Sequence, residues 1–305
     1  MKFSIFQESR RGGRKYNQDR MGYVFSRDAL VIVVADGMGG HMHGEIAAQI
    51  TVEFIGQKFQ REAKPRVADP VAFLNESVTG SHTAIMQYAD EHGLLESPRT
   101  TVIVAVIQDG NAWWAHAGDS RAYLVRAGQI VTQTRDHSRV QQLVLQGIVR
   151  EEAVAAHPDR NKIYNCLGAP VPPTVEISPR MRLKEGDTML LCSDGLWGPL
   201  PSRLIANAFL NAPVMRAVPE LLAQAERRAG ADSDNLTAVA MTWNELEVAG
   251  PDSVSTVTMP AGEVASRIDG FAATTKDEFL SDEEIEKAIA EIRSAISKAS
   301  KIVVK

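Results

Sequence analysis

Cysteine is scarce, with only Cys166 and Cys192 in 305 residues. Two widely separated thiols exclude a disulfide framework and a four-ligand zinc site, and they fit a reducing cytosol. An excess of positive charge is missing too: 33 basic against 38 acidic residues leave a formal net charge of −5. A nucleic-acid partner therefore has no global electrostatic support. No apolar run approaches the roughly 20 residues of a membrane-spanning helix. The longest, Leu30 to Ala35, has strand length and runs straight into Asp36. Met1 to Glu8 alternates apolar and polar residues and lacks the basic and apolar regions of a signal peptide. The expectation is a cytoplasmic protein with no membrane anchor. There is no internal repeat and no G-x-x-x-x-G-K-[ST] phosphate loop, and the glycines at Gly37, Gly39 and Gly40 miss the dinucleotide pattern because Met42 stands at its third glycine position.

What is present is the composition of an ordinary globular protein, 44% hydrophobic and 23% charged. Strand-like runs at Phe3 to Gln7, Met21 to Phe25 and Leu30 to Ala35 precede a helical stretch from Gly44 to about Arg61. After Pro70 a second helix carries Phe73, Leu74, Val78, His82, Ile85, Met86 and Ala89 at three- and four-residue spacing, which predicts a face packed on a sheet. Thr101 to Ile107 and Ala112 to Ala117 flank Asp109, Gly110 and Asn111, the chemistry of a tight hairpin. Further strands are expected at Arg121 to Arg126, Gln129 to Thr132, Thr188 to Cys192 and Leu236 to Thr242, with helices at Pro201 to Leu210 and Met215 to Arg228. Hairpins interrupted by paired helices argue for an α+β protein with mainly antiparallel sheets. The main domain then ends near residue 246. Residues 247–280 read as a linker rich in small residues, and 281–305 as an amphipathic helix opened by a Ser281/Glu284 capping box. Its stripe of Ile285, Ile289, Ile292 and Ile296 either docks on its own domain or meets a partner.

The chemistry lies in four aspartates beside small or polar residues: Asp36 before Gly37, Asp119 after Gly118, Asp194 before Gly195 and Asp234 before Asn235. Each alone is a turn or a cap. Together, at the ends of buried strands, they repel one another unless a cation compensates. Oxygen ligands without a cysteine and histidine set favour hard octahedral ions, Mg²⁺ or Mn²⁺, and the carbonyl of Gly37 can face the same ion. Two such ions about 3.5–4 Å apart activate a water for in-line attack on phosphorus. Phosphate-ester hydrolysis follows, with Arg14, three residues before Asn17, as the fork-shaped phosphate donor.

These residues place the chain beside a known family. It resembles the metal-dependent protein phosphatases, the type 2C or PPM serine/threonine phosphatases, in their bacterial form. The likeness runs from about Phe3 to Thr242 through Arg14-Lys15-Tyr16-Asn17-Gln18-Asp19-Arg20, Asp36-Gly37-Met38-Gly39-Gly40-His41 with Gly44-Glu45, and Gly118-Asp119-Ser120-Arg121. It continues through Asp136-His137-Ser138, His157-Pro158, Leu167-Gly168, Ser193-Asp194-Gly195-Leu196 and Asp234-Asn235-Leu236-Thr237.

The resemblance implies a central sandwich of two antiparallel sheets flanked by helices, with metals in a cleft at one end. By motif, Asp36 bridges two metals, Gly37 offers its carbonyl to one, Asp194 and Asp234 complete the other, and Asp119 helps to hold a weaker third. Arg14 binds the phosphate and Asp19 contacts metal-bound water. The implied partners are phosphoserine and phosphothreonine proteins and a cognate serine/threonine kinase. The segment from about Asp136 to Leu167 resembles the flap that influences substrate choice.

This chain departs from the family pattern in three places. Gln18 stands where glutamate is usual, Arg99 where glycine is usual, and Met38 where many eukaryotic relatives have a proposed general acid, leaving His41 or water on the third metal as proton donors. Gln18 and Arg99 motivate the alternative of a catalytically silent relative that binds phosphoproteins. The residues around Cys166 and Cys192 contain no arginine of a cysteine-phosphatase loop, so both thiols read as structural. His116, His137 and His157 also read as structural.

Overall fold

The run Ala29 to Asp36 has almost no solvent-facing side. Because side chains alternate along a strand, Leu30, Ile32 and Val34 enter one apolar cluster while Val31, Val33 and Ala35 enter another. A strand buried on both faces belongs at the middle of a layered structure, and the whole architecture follows from several such strands. The computed structural model describes residues 1–38, 43–150, 153–154, 157–160, 162–243, 253–268 and 290–299.

Chain order is β1 (Lys2–Arg10), β2 (Asp19–Phe25), β3 (Ala29–Asp36), α1 (Gly44–Glu62), α2 (Pro70–Glu91), β4 (Val102–Gln108), β5 (Asn111–Ala117), β6 (Arg121–Arg126), β7 (Gln129–Gln133) and α3 (Arg139–Leu145). Then come β8 (Glu176–Ile177), β9 (Met181–Arg182), β10 (Thr188–Cys192), α4 (Asp194–Trp197), α5 (Ser202–Ala208), α6 (Val214–Ala229), β11 (Leu236–Trp243), β12 (Ser253–Ser255) and β13 (Ala265–Ile268). One sheet has the order β12-β1-β11-β10-β6-β7 and the other β13-β2-β3-β4-β5-β8, with β9 also on β5. Every pairing is antiparallel. This is the expected α+β sandwich.

Three apolar layers hold it. Phe3, Ile5, Ile32, Ile103, Leu191 and Met241 interdigitate between the sheets. Outside the β3 sheet lie α1 and α2, with Phe54, Phe59, Phe73 and Leu74 against Val31, Val33 and Val104. Outside the β11 sheet lie α5 and α6, with Ile205, Leu221 and Leu222 against Leu190, Cys192 and Ala240. Asp109 and Gly110 both take positive φ, 52° and 68°, and close the β4–β5 hairpin where turn chemistry predicts. Trp114 enters the inter-sheet core, while Trp113 packs half-buried on the helical side.

Inside the stretch whose composition suggests a linker, β12 pairs with β1 and β13 with β2. One sheet edge of each layer is thereby covered, which removes unpaired backbone from solvent. Residues 290–299 are helical, and Ile292, Ala295, Ile296 and Ala299 are buried among the side chains of the α1 and α2 layer. Ser281, Glu284, Ile285 and Ile289 lie outside the described residues.

Gly80 tests how tightly α1 and α2 are pressed together. A Cβ there would sit 2.3 Å from Cζ of the buried Phe54. Alanine gains about 1 kcal/mol of helix propensity over glycine, but overpacking a core costs about 1–3 kcal/mol. Because the contact is with a ring that has no room to retreat, the steric term wins. Gly80→Ala is therefore expected to lower the melting temperature; a thermal melt that rises instead contradicts this packing.

Candidate metal centre

Strand ends deliver the acids. Asp19 opens β2, Asp36 closes β3, and the two are direct partners across the antiparallel ladder. Like charges in that relation destabilise a sheet, so this pair needs a reason to exist. Asp119 precedes β6, Asp194 begins α4 just beyond the end of β10, and Asp234 stands two residues before β11. Strands from both sheets thus end at one cleft of about 530 Å³, lined by Arg14, Asp36, Asp119, Asp194, Asp234 and Asn235 among others.

The electrostatics are those of an uncompensated acidic cluster. Desolvation, followed by repulsion from Asp19, Asp194, Asp119 and Asp234, pushes the Asp36 carboxyl well above the usual carboxylate range. Asp194 is raised for the same reasons, with Arg14 opposing. Burial raises Asp119 to about 7, helped by nearby Asp136. Asp19 is raised to about 6 by burial against the pull of its hydrogen bonds to Thr237 and Ser193. Asp19 Oδ1 and Asp119 Oδ1 are buried without any hydrogen-bond partner. Orphaned carboxylate oxygens and mutual repulsion are what hard divalent cations relieve, so the donor set fits Mg²⁺ or Mn²⁺. Among the described residues, no three of these aspartates bring ligand atoms within 4.8 Å of one another.

Neutral partners hold this arrangement in place. Ser193 Oγ donates to Asp19 Oδ2 at 2.7 Å and in turn accepts from the Thr237 amide at 3.0 Å. Thr100 Oγ1 donates to the Asp36 carbonyl at 2.8 Å, while the Asp36 amide donates to Thr101 Oγ1. Gly37 is required by close approach: a Cβ there would lie 2.5 Å from the carbonyl carbon of Gly44 at the start of α1. Asn235 Oδ1 accepts from the Gln18 amide, and its Nδ2 donates to the carbonyls of Arg11 and Tyr16. That one side chain ties the arginine-bearing loop to the acids.

Arg14 reaches the cleft from this loop, half-exposed, with Nη2 donating to Asp234 Oδ2 at 2.6 Å. The bond to Asp234, reinforced by the charges of Asp194 and Asp36, raises the guanidinium pKa further. Gln18 donates from Nε2 to Glu45 Oε2 at 3.0 Å. A glutamate at 18 would set two carboxylates face to face there, so in this chain the amide satisfies a neighbour.

Sequence reasoning missed the brace behind Asp119. Arg121 forms a two-pronged pair with Asp136 at 2.7 and 2.8 Å and stacks 3.5 Å from the ring centroid of Trp197, whose Nε1 donates to the Asp119 carbonyl. Arg121 and Asp136 were visible only as motif letters; their pairing joins residues 15 apart across β6 and the flap base. The flap itself carries α3 and an isolated bridge between Ser138 and Ile163, and Ile163 lines the cleft. His41 lies outside the described residues. Cys166 and Cys192 are buried, free and driven toward the thiol by burial.

His116, His137 and Glu176 bring ligand atoms within 4.8 Å of one another, yet the hydrogen bonds of His137 do not suit a metal. His137 Nδ1 accepts from the Gly118 amide and faces Asn165 Nδ2, whose orientation is set by two bonds to Thr174. The ring proton therefore sits on Nε2, donated to Glu176 at 3.2 Å. The His116 and His137 rings stack at 4.4 Å and 13°, so their lone pairs lie in nearly parallel planes. Both nitrogens of His137 are thus engaged within the fold.

A family profile for Protein phosphatase 2C matches residues 7–238. The chain belongs to the protein phosphatase 2C family. It is 33% identical over 212 residues to the serine/threonine protein phosphatase PstP of Mycobacterium tuberculosis, covering 69% of this chain and 40% of that protein. A putative protein phosphatase 2C-type of Streptococcus pyogenes is 31% identical over 237 residues, 77% of this chain and 94% of its own length. A crystal structure of the catalytic domain of PstP in complex with two manganese ions superposes with a TM-score of 0.66 at 31% identity, covering 79% of this chain and 98% of that one.

The raised acids predict a pH signature. A carboxyl whose folded pKa lies above its unfolded 3.8 stabilises the fold at low pH and loses that contribution as pH rises through the folded value. In chelator, the part of the stability carried by Asp119 should fall between pH about 4 and about 7. Thermal melts of wild type and Asp119→Asn across this range should diverge as pH rises, the variant becoming relatively more stable, and Mn²⁺ should abolish the divergence. Parallel melting curves would show that the acid cluster carries no such strain.

Proposed function

We propose that this chain is a protein serine/threonine phosphatase that hydrolyses phosphoserine and phosphothreonine at a two-metal Mn²⁺ or Mg²⁺ centre, opposite a serine/threonine kinase. The observation that carries the proposal is the ring of mutually repelling, partly orphaned aspartates from both sheets with the guanidinium of Arg14 at its rim. Asp36, the Gly37 carbonyl, Asp194 and Asp234 would hold the principal ions, with Asp119 at a weaker third and Asp19 toward coordinated water. Bound there, divalent ions supply Lewis acidity toward phosphorus and lower the pKa of coordinated water.

The chain's own residues do the rest. Arg14 presents a planar fork to two phosphoryl oxygens and is aimed by Asp234, so charge and orientation come together. Ser193 occupies one oxygen of Asp19 and thereby directs the other inward. The Arg121–Asp136–Trp197 brace holds the Asp119 backbone, sparing that acid the entropy of finding its position. Ile163, on the flap, supplies an apolar wall for the peptide around the phosphoresidue.

The active reading is favoured over the silent relative by the side-chain amide of Gln18 donating to Glu45 and by Asp36, Asp119, Asp194 and Asp234 all lining the cleft. The test is phosphate release from a phosphothreonine peptide with Mn²⁺. Excess chelator should abolish turnover, and Asp194→Ala should lower it by about 100-fold or more, beyond the 10–100-fold typical of an outer-shell change. A folded wild type without turnover across Mn²⁺ and Mg²⁺ would overturn the proposal.

A further inference from the structure

Arg20 follows Asp19 in sequence, and alternation along β2 turns it away from the cleft toward the helical layer. It is 2% exposed. Its Nη1 donates to the carbonyls of Asn17 at 2.8 Å and Asp19 at 2.7 Å, gripping the backbone on both sides of Gln18. Its Nε donates to Oε1 of Gln49, a fully buried residue of α1, at 3.0 Å. An amide can offer its oxygen to Arg20 only if its NH₂ group points the other way. That orientation is set by Glu53, one turn further along α1, whose Oε1 accepts from Gln49 Nε2 at 2.9 Å.

Glu53 is half-buried, and burial raises its carboxyl pKa; the Gln49 bond and the charge of Arg293 oppose that rise. Arg293 belongs to the 290–299 helix, which lies beyond the family match ending at residue 238. The helix buries Ile292, Ala295, Ile296 and Ala299 in the α1 and α2 layer, and two polar contacts fasten it to α2: Glu291 Oε2 with His92 Nε2 at 3.0 Å and Lys298 Nζ with Glu91 Oε1 at 2.8 Å. The tail therefore packs in the same layer as α1, and within that layer a chain of hydrogen bonds runs from Glu53 through Gln49 and Arg20 to the segment that carries Gln18 and Asp19.

We propose that Arg20, Gln49 and Glu53 are positioning residues for the Asn17–Asp19 segment of the cleft, and that docking of the 290–299 helix sets them. The tail then tunes metal affinity at the acids without touching them. The proposal deepens the phosphatase reading and rests on it only for the turnover measurement.

The experiment compares full-length wild type, Gln49→Met, Ile292→Glu with Ile296→Glu, and all three changes together. Amide hydrogen exchange over residues 14–20 is followed in metal-free protein, Mn²⁺ affinity by calorimetry, and kcat and KM on an aryl phosphate. Gln49→Met keeps the volume and removes both hydrogen bonds. It should speed exchange over residues 14–20 and weaken Mn²⁺ binding by about 10-fold, while exchange over 290–299 stays slow. Undocking the tail should reproduce both changes, and the triple variant should add nothing further, the mark of coupled sites. Exchange over residues 14–20 and Mn²⁺ affinity unchanged on undocking, or additive effects, would overturn the proposal. Should the isoleucine pair fail to fold, Arg293→Glu sets a like charge against Glu53 from the exposed side of the helix and must produce the same two shifts. The exchange data stand apart from catalysis: coupling seen without phosphate release by wild type sinks the phosphatase reading alone, and release without coupling sinks only this one.

Discussion

Repulsion among carboxylates governs this molecule. Asp19 and Asp36 face each other across a ladder whose other pairs, apart from Arg20 with Ala35, are uncharged, and Asp119, Asp194 and Asp234 are brought to the same end of the sandwich. A fold that depended only on its own stability would not gather these charges. The structure answers with rigid neighbours: Ser193, Thr100, Thr101 and Asn235 satisfy selected oxygens and backbone groups, while Asp19 Oδ1 and Asp119 Oδ1 stay buried without a partner. Residues that appear as small polar spacers in the motifs are thus the means by which a destabilising cluster keeps one geometry.

The three-layered core makes that possible. Strands buried on both faces are hard to displace, because a one-residue slip would exchange two apolar sets at once. β3, β4, β10 and β11 all have this character, and each has one end at or beside the cleft. Rigid strand ends carry the acids, whereas Arg14 and the flap arrive on irregular segments with more exposure. Charge placement that must be exact sits on the sheets, and contacts that must accommodate a peptide sit on loops.

Two groups of potential ligands had opposite outcomes, and hydrogen-bond direction separates them. Carboxylates accept only, so when crowded and desolvated they call for a cation. His116 and His137 stack with ring centroids 4.4 Å apart, but a backbone amide, a fixed asparagine and Glu176 use up the nitrogen positions of His137, and the cluster becomes a clamp between the flap base and β5. Gln18 follows the same logic: beside Glu45, a donor is the residue that fits. The tail is similar in kind. Its composition resembles a linker, yet its described strands cover the edges of both sheets, because backbone pairing depends little on side-chain identity.

The sequence alone carried the class of fold, most strands and the long helices, because apolar periodicity and turn chemistry act locally. It also singled out Asp36, Asp119, Asp194 and Asp234, since acids beside glycine at strand ends leave a local trace, and the family likeness added Asp19 and the assignment of each to a metal. Arg14 was legible as one basic residue among several, and only the fold put Asp234 beside it, 220 residues away. The Arg121–Asp136–Trp197 brace, the Asn235 tie and the Arg20–Gln49–Glu53 line had no signal in spacing or composition. Each joins residues distant in the chain through the direction of a hydrogen bond or the stacking of a ring. Those properties exist only once two sheets and a helical layer have been pressed together, and so tertiary structure alone decided them.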